Sequence, residues 1–146
     1  MIQLFTELQE KKNVRSNLSA LRASLKEATE EQKAQAIEFV RGHEDLVFGF
    51  LQEEDAKTRK NAALLLGDLA VQNALQPLWK AYTREQTLFV KSAYLEAMKA
   101  LHAEEILSQL KDRLAELEGE PVTEENRKHR EAELRALRAI LIQYEG

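Results

Sequence analysis

An all-helical fold is predicted from three observations: a 32-residue recurrence in mid-chain, apolar residues at helical spacings within each copy, and few helix breakers, with five Gly and two Pro in 146 residues. In the recurrence Thr58-Arg59 returns as Val90-Lys91, Leu66 as Met98, Leu69 as Leu101, Leu75 as Leu107, Leu78 as Leu110 and Tyr82 as Leu114. Each copy reads as two helices that hide their apolar faces against each other and against the next copy. That is the construction of an α-solenoid. The predicted architecture is a right-handed α-α superhelix of about four helix pairs in a single domain, 1–146. Its clear repeats are 55–86 and 87–118, with atypical helices over 1–54 and a capping helix over 123–144.

A short apolar start (Ile2, Leu4, Phe5, Leu8) leads into a charged stretch, after which Val14, Leu18, Leu21 and Leu25 fall at spacings of four, three and four and predict one helix. Thr29 followed by Gln32 fits a capping box that opens the next, with Ala36, Ile37 and Val40 inward and Gly42 as its stop. Its partner spans Leu46 to Leu51. Asp55 is placed to cap the following helix, whose inward residues are Ala62, Ala63, Leu66, Leu69 and Ala70. Gly67 lies in its interior, where glycine costs about 1 kcal/mol relative to alanine, so a close helix approach is expected there.

Asn73 is read as the cap of the next helix, which puts Pro77 in a first turn where its missing N–H has no intrahelical partner to lose. Leu75, Leu78, Trp79 and Tyr82 form its apolar side. A turn over 83–87 precedes the second copy, with Phe89, Val90, Ala93, Tyr94, Ala97, Met98 and Leu101, then Ile106, Leu107, Leu110, Leu114 and Leu117. The linker Glu118-Gly119-Glu120-Pro121-Val122 follows, and Thr123 is read as the cap of a last long helix. There Leu134, Leu137, Leu141 and Tyr144 line up, with Glu124–Lys128 and Glu131–Arg135 as i,i+4 pairs.

Composition narrows the function classes. Hydrophobic residues at 44% and charged residues at 32% describe a folded chain with a real core. The absence of cysteine excludes disulfides and cysteine nucleophiles and fits a reducing compartment, so a cytoplasmic location is expected. No targeting segment or membrane span is expected. The formal charge of −4 argues against a binder that uses its whole surface on a polyanion, since phosphate contacts need clustered cations.

The run Asp55-Ala56-Lys57-Thr58-Arg59-Lys60-Asn61-Ala62-Ala63-Leu64-Leu65-Leu66-Gly67-Asp68-Leu69 resembles the first helix of a HEAT repeat, and Ala74-Leu75-Gln76-Pro77-Leu78 resembles the second. The likeness covers residues 45 to 117; upstream only Val14-Arg15 echoes it. It implies the superhelix and leaves the function to particular sites. The runs Thr58-Arg59-Lys60-Asn61-Ala62-Ala63-Leu64, Leu88-Phe89-Val90-Lys91-Ser92-Ala93-Tyr94-Leu95 and Lys128-His129 are also similar to the helical N-terminal region of a bacterial family described as RNA methyltransferases. There a HEAT-like segment precedes a methylase domain that uses S-adenosylmethionine, so this resemblance implies a module of a larger protein. No Gly-rich strand-to-helix loop occurs, and no cofactor is expected for this chain.

Arg59 and Lys91 hold equivalent places in successive repeats, where a cation pairs with acidic or carbonyl groups of the neighbouring turn; ligand contact is the alternative. Lys57, Lys60, Arg84 and Lys91 are a candidate basic edge for a phosphate backbone, set against a solvated charged face. Arg127, Lys128, His129 and Arg130, with Arg135 and Arg138, are the densest cationic cluster, interleaved with Glu124, Glu125, Glu131 and Glu133 as in an ordinary salt-bridged helix. Trp79, Phe48, Phe50, Phe89 and Tyr94 are read mostly as core. His43, His102 and His129 show no i,i+4 pairing, so no metal site is expected, and no catalytic constellation stands out.

The leading expectation is a noncatalytic interaction or scaffold module that binds a protein or positions an adjoining domain, through the groove of the second helices where Gln76, Lys80, Ser108 and Asp112 face out. The alternative is an RNA-binding or accessory module of an RNA methyltransferase that uses S-adenosylmethionine, with RNA met by the basic patches. An enzyme of the HEAT-like DNA glycosylase kind would need a strongly basic concave surface, which the net charge disfavours. Partner identity and oligomeric state are left open.

Overall fold

Apolar stripes at the helical period set the helices, and side-chain caps at Thr29 and Asp55 fix the starts of two of them. The computed structural model describes residues 1–145 and leaves Gly146 outside. Among the described residues there are nine α-helices and no strand: α1 (Ile2–Gln9), α2 (Val14–Leu25), α3 (Glu30–Gly42), α4 (Glu44–Gly49), α5 (Ala56–Asp68), α6 (Leu75–Arg84), α7 (Leu88–Lys99), α8 (Leu107–Gly119) and α9 (Arg127–Leu141). Single 3-10 turns over Phe50–Gln52, Gln72–Ala74, Glu104–Ile106 and Ile142–Tyr144 extend α4, lead into α6 and α8, and close α9. None of these helices is long and apolar enough to cross a membrane.

The capping box at Thr29 forms in both directions, with Gln32 N–H donating to Thr29 Oγ1 at 3.1 Å and Thr29 N–H to Gln32 Oε1 at 3.0 Å. Asp55 caps α5 by accepting the N–H of Thr58 at 3.0 Å and its hydroxyl at 2.7 Å. At the other end of α5 the reading of Ala70 as an inward residue is corrected. Ala70 is exposed and left-handed at φ 50°, and it ends the helix through bonds of 3.0 Å from Ala70 N–H to Gly67 O and from Val71 N–H to Leu66 O. This is the paired-bond termination usually made by glycine.

Two further caps differ from expectation. Asn73 does not cap α6: its amide donates to Glu44 Oε2 at 3.2 Å, and Ala74 stands at the cap position with no side-chain bond. Pro77 still falls in the first turn of α6, where it leaves no bond unmade. Thr123 does not open α9 directly. It closes a preceding turn with Asn126, by bonds of 2.8 and 3.2 Å, and the helix proper starts at Arg127.

α2, α5, α7 and α9 pack side by side in that order, with α1 against α2. α6 lies against α7 and the Phe50–Gln52 turn, and α8 lies against α9. The α5–α7 contact is the most extensive, and Gly67 explains it: a Cβ there would come within 2.9 Å of the Ala97 Cα, so only hydrogen allows this approach. The turns are linked as well. Gln72 donates to His102 O at 2.8 Å and accepts from its N–H at 2.9 Å, while Ala103 N–H donates to the Tyr144 hydroxyl at 2.7 Å. One apolar core runs from Leu8 to Leu141, and it includes Leu66 and Leu78, both fully buried.

Candidate functional site

The repeat-equivalent cations are the first residues to place. Arg59, near the start of α5, reaches Glu85 in the turn after α6 with two parallel bonds, Nε to Oε1 and Nη2 to Oε2, both 2.9 Å. Its Nη1 donates to the carbonyls of Glu53 and Glu54 at 2.8 Å each. Glu85 also accepts the N–H of Thr87 at 3.1 Å and the hydroxyl of Tyr94 at 3.3 Å. Burial on its own would raise the Glu85 carboxyl, but the Arg59 guanidinium and the Thr87 N–H outweigh it and hold the group below the usual carboxylate range. Burial, followed by the Glu85 charge, pushes the Tyr94 phenol well above its ordinary value.

Lys91 is engaged in a different way. Its ammonium stands 3.6 Å from Glu133 Oε1 and 5.8 Å from the centre of the Tyr82 ring. Glu133, buried on α9, accepts the Tyr82 hydroxyl and is met by Arg113 of α8, from Nη2 at 3.2 Å and Nε at 3.3 Å. Burial and then the Glu133 carboxylate raise the Tyr82 phenol, which keeps it a donor. A buried carboxylate must be paired or hydrogen-bonded, and both Glu85 and Glu133 are. Neither was singled out as a partner in the sequence, although one signal was available: Tyr82 replaces Leu114 at a core position, and a buried hydroxyl needs an acceptor.

The predicted basic edge is therefore divided. Lys91 faces inward onto a carboxylate, as Arg59 beside the edge also does, whereas Lys57 is exposed and Lys60 half-buried on α5, and Arg84 faces a cleft on α6. The cationic cluster of α9 divides too. Arg138 pairs with Glu118 at 3.1 Å, and Arg130 donates to Glu118 O at 3.2 Å while its Nε is buried with no partner among the described residues. Arg127, Lys128 and Arg135 are exposed, and none makes an ion pair among the described residues. The pairs expected at Glu124–Lys128 and Glu131–Arg135 are among those not made.

Helices α6 and α8 carry exposed polar residues and border two of the surface clefts. Gln76, Lys80, Ser108 and Asp112 are all exposed. On one side of α6 a cleft of about 480 Å³ is lined by Phe48, Leu51, Pro77, Lys80, Ala81 and Arg84 among others. On the other side, Trp79, Thr83, Gln109, Asp112, Arg113 and Glu116 line a cleft of about 450 Å³ toward α8. Phe50 and Tyr94 are core, as read, whereas Phe48 and Trp79 are half-buried walls of these clefts. Phe89 departs from the core reading, at 46% exposure on the first turn of α7. Among the described residues no group of three or more His, Asp or Glu side chains is arranged to hold a metal ion. Comparison of the chain with protein-family models, curated proteins and solved structures finds no match.

Proposed function

We propose that this chain is a noncatalytic, HEAT-like interaction module that holds a protein partner or an adjoining domain on the face made by α4, α6 and α8. The observation that carries the reading is the division of its polar residues. Arg59 and Lys91, at matching repeat positions, serve internal carboxylates, while Lys80, Arg84 and Asp112 stand exposed at two clefts on either side of α6 and Gln76 and Ser108 are exposed on the same two helices. A right-handed superhelix would account for the 32-residue recurrence and for the succession α2, α5, α7, α9. A photocrosslinking residue at Gln76 or Ser108 is expected to capture a discrete protein partner in cells, and one at the exposed Glu96 of α7 is not. Capture from Glu96 alone would overturn the proposal.

A second reading, an RNA-binding accessory module, rests on Arg127, Lys128 and Arg135 of α9, which are exposed and make no ion pair among the described residues. If those cations meet RNA, each neutralised phosphate releases counterions, and removing one cation lowers the salt slope by about 0.7. Affinity that is insensitive to salt would remove this reading.

A further inference from the structure

The two clefts beside α6 differ in charge balance. Toward α8, Asp112 and Glu116 stand with Arg113 and Lys91, so cations and carboxylates offset one another. Toward the Phe50–Gln52 turn the walls are apolar, from Phe48, Leu51, Pro77 and Ala81, and the rim carries Lys80 and Arg84. Neither of these two makes an ion pair among the described residues. The one carboxylate lining this cleft is Glu85, and its oxygens already accept from Arg59, Thr87 and Tyr94. The result is an apolar floor beneath two cations that no carboxylate neutralises among the described residues.

We propose that this cleft takes an acidic segment of a partner protein, anchored by one large apolar side chain on the floor and held by carboxylates over Lys80 and Arg84; the proposal rests on the interaction-module reading. Residues four apart on a helix lie about 5–6 Å from each other, so Lys80 and Arg84 match carboxylates one turn apart on a docking helix. A space of about 480 Å³ accepts a leucine or phenylalanine side chain. The anchor supplies affinity through burial, and the exposed ion pairs supply selection and rate, because each such pair contributes little on its own. A nucleic acid fits less well. Two cations neutralise too few phosphates, and the net charge of −4 repels a long polyanion elsewhere.

The test is selection of displayed random dodecapeptides against the full chain and against its K80E/R84E variant, followed by amide NMR mapping of the winners. The expected winners carry a large apolar residue flanked by Asp or Glu, shift the amides of Phe48, Leu51 and Ala81, and bind the reversed variant about tenfold more weakly. Against that variant, selection should favour Lys or Arg in place of the acids. The proposal is overturned if winners are neutral or basic, if acidic winners bind both proteins equally, if nothing is enriched, or if a short RNA rather than peptide shifts these amides. Winners that map to Trp79, Gln109 and Asp112 would sink this inference while leaving the interaction face standing. Loss of both would require, in addition, that crosslinking from Gln76 and Ser108 fail.

Discussion

Against α5, helix α7 approaches until Gly67 lies beneath Ala97, whereas against α9 the same helix meets side chains that converge on the buried Glu133. In the first seam, backbone contact leaves no room for a polar group at the crossing, and the polar cluster stands at its edge, in the turn that carries Glu85. In the second, Tyr82 of α6, Arg113 of α8 and Lys91 of α7 all reach one carboxylate of α9. Successive seams of the same helix are thus joined without a shared side-chain recipe. One joint depends on the smallest residue, the other on a charge that three helices must satisfy together.

The comparison can be broken most forcefully at Glu133. Replacing it by alanine takes the acceptor from the Tyr82 hydroxyl and from Arg113 Nε and Nη2, leaving Arg113 only its Nη1 contacts to Glu116 at 3.1 Å and Glu120 at 3.7 Å, and the expected cost is about 3 kcal/mol in denaturant unfolding. A cost near zero would show that the second seam holds by its apolar contacts alone. In the first seam, Gly67→Ala is expected to cost about 1–3 kcal/mol from overpacking, even though helix preference favours alanine by about 1 kcal/mol. The nearest obstruction is the Ala97 Cα, which is backbone and cannot turn aside. A neutral or stabilised Gly67→Ala protein would mean that the two helices can move apart freely.

Double-mutant cycles sharpen the contrast in pairing geometry. The bidentate Arg59–Glu85 pair should show a coupling of about 1.5–3 kcal/mol, and the single long Lys91–Glu133 contact about 0.5–1 kcal/mol. Equal couplings would remove the distinction. The smallest effect expected is on pH dependence. The depressed carboxyl of Glu85 contributes stability at pH values above the ordinary carboxylate range and loses it as pH falls through its folded value, so Glu85→Gln should flatten the acid limb of stability. The raised phenols of Tyr82 and Tyr94 act in the opposite sense. Their contribution is present below the ordinary tyrosine value of 10.0 and is lost as pH rises beyond it, so Tyr82→Phe and Tyr94→Phe should each flatten the alkaline limb. An unchanged pH profile in all three proteins would refute the assignment.

Much of the helix plan was legible because its signals are local. Thr29 with Gln32 and Asp55 with Thr58 act within one turn, and the spacing of Leu18, Leu21 and Leu25 needs only the helical period. The outward residues of the candidate face, Gln76, Lys80, Ser108 and Asp112, followed from the same period. Gly67 announced a close approach because a glycine inside a helix needs a packing reason, and Ala97 is that reason. The pairing chemistry of Arg59 was equally readable, since a cation at a repeat position wants an acidic or carbonyl partner.

Tertiary structure alone decided which partner each residue received. Arg59 meets Glu85 and Lys91 meets Glu133, carboxylates that no local pattern distinguishes from the many others on these helices. Ala70 became a left-handed helix end because the chain must turn sharply there, and Asn73 gave up its cap for Glu44 on another helix. Lys80 and Arg84 became a pair over an apolar cleft only when α6 settled beside the Phe50–Gln52 turn and Arg59 engaged the neighbouring carboxylate. Periodicity dictates which side of a helix is turned inward, but the identity of what it meets depends on contacts between residues far apart in the chain.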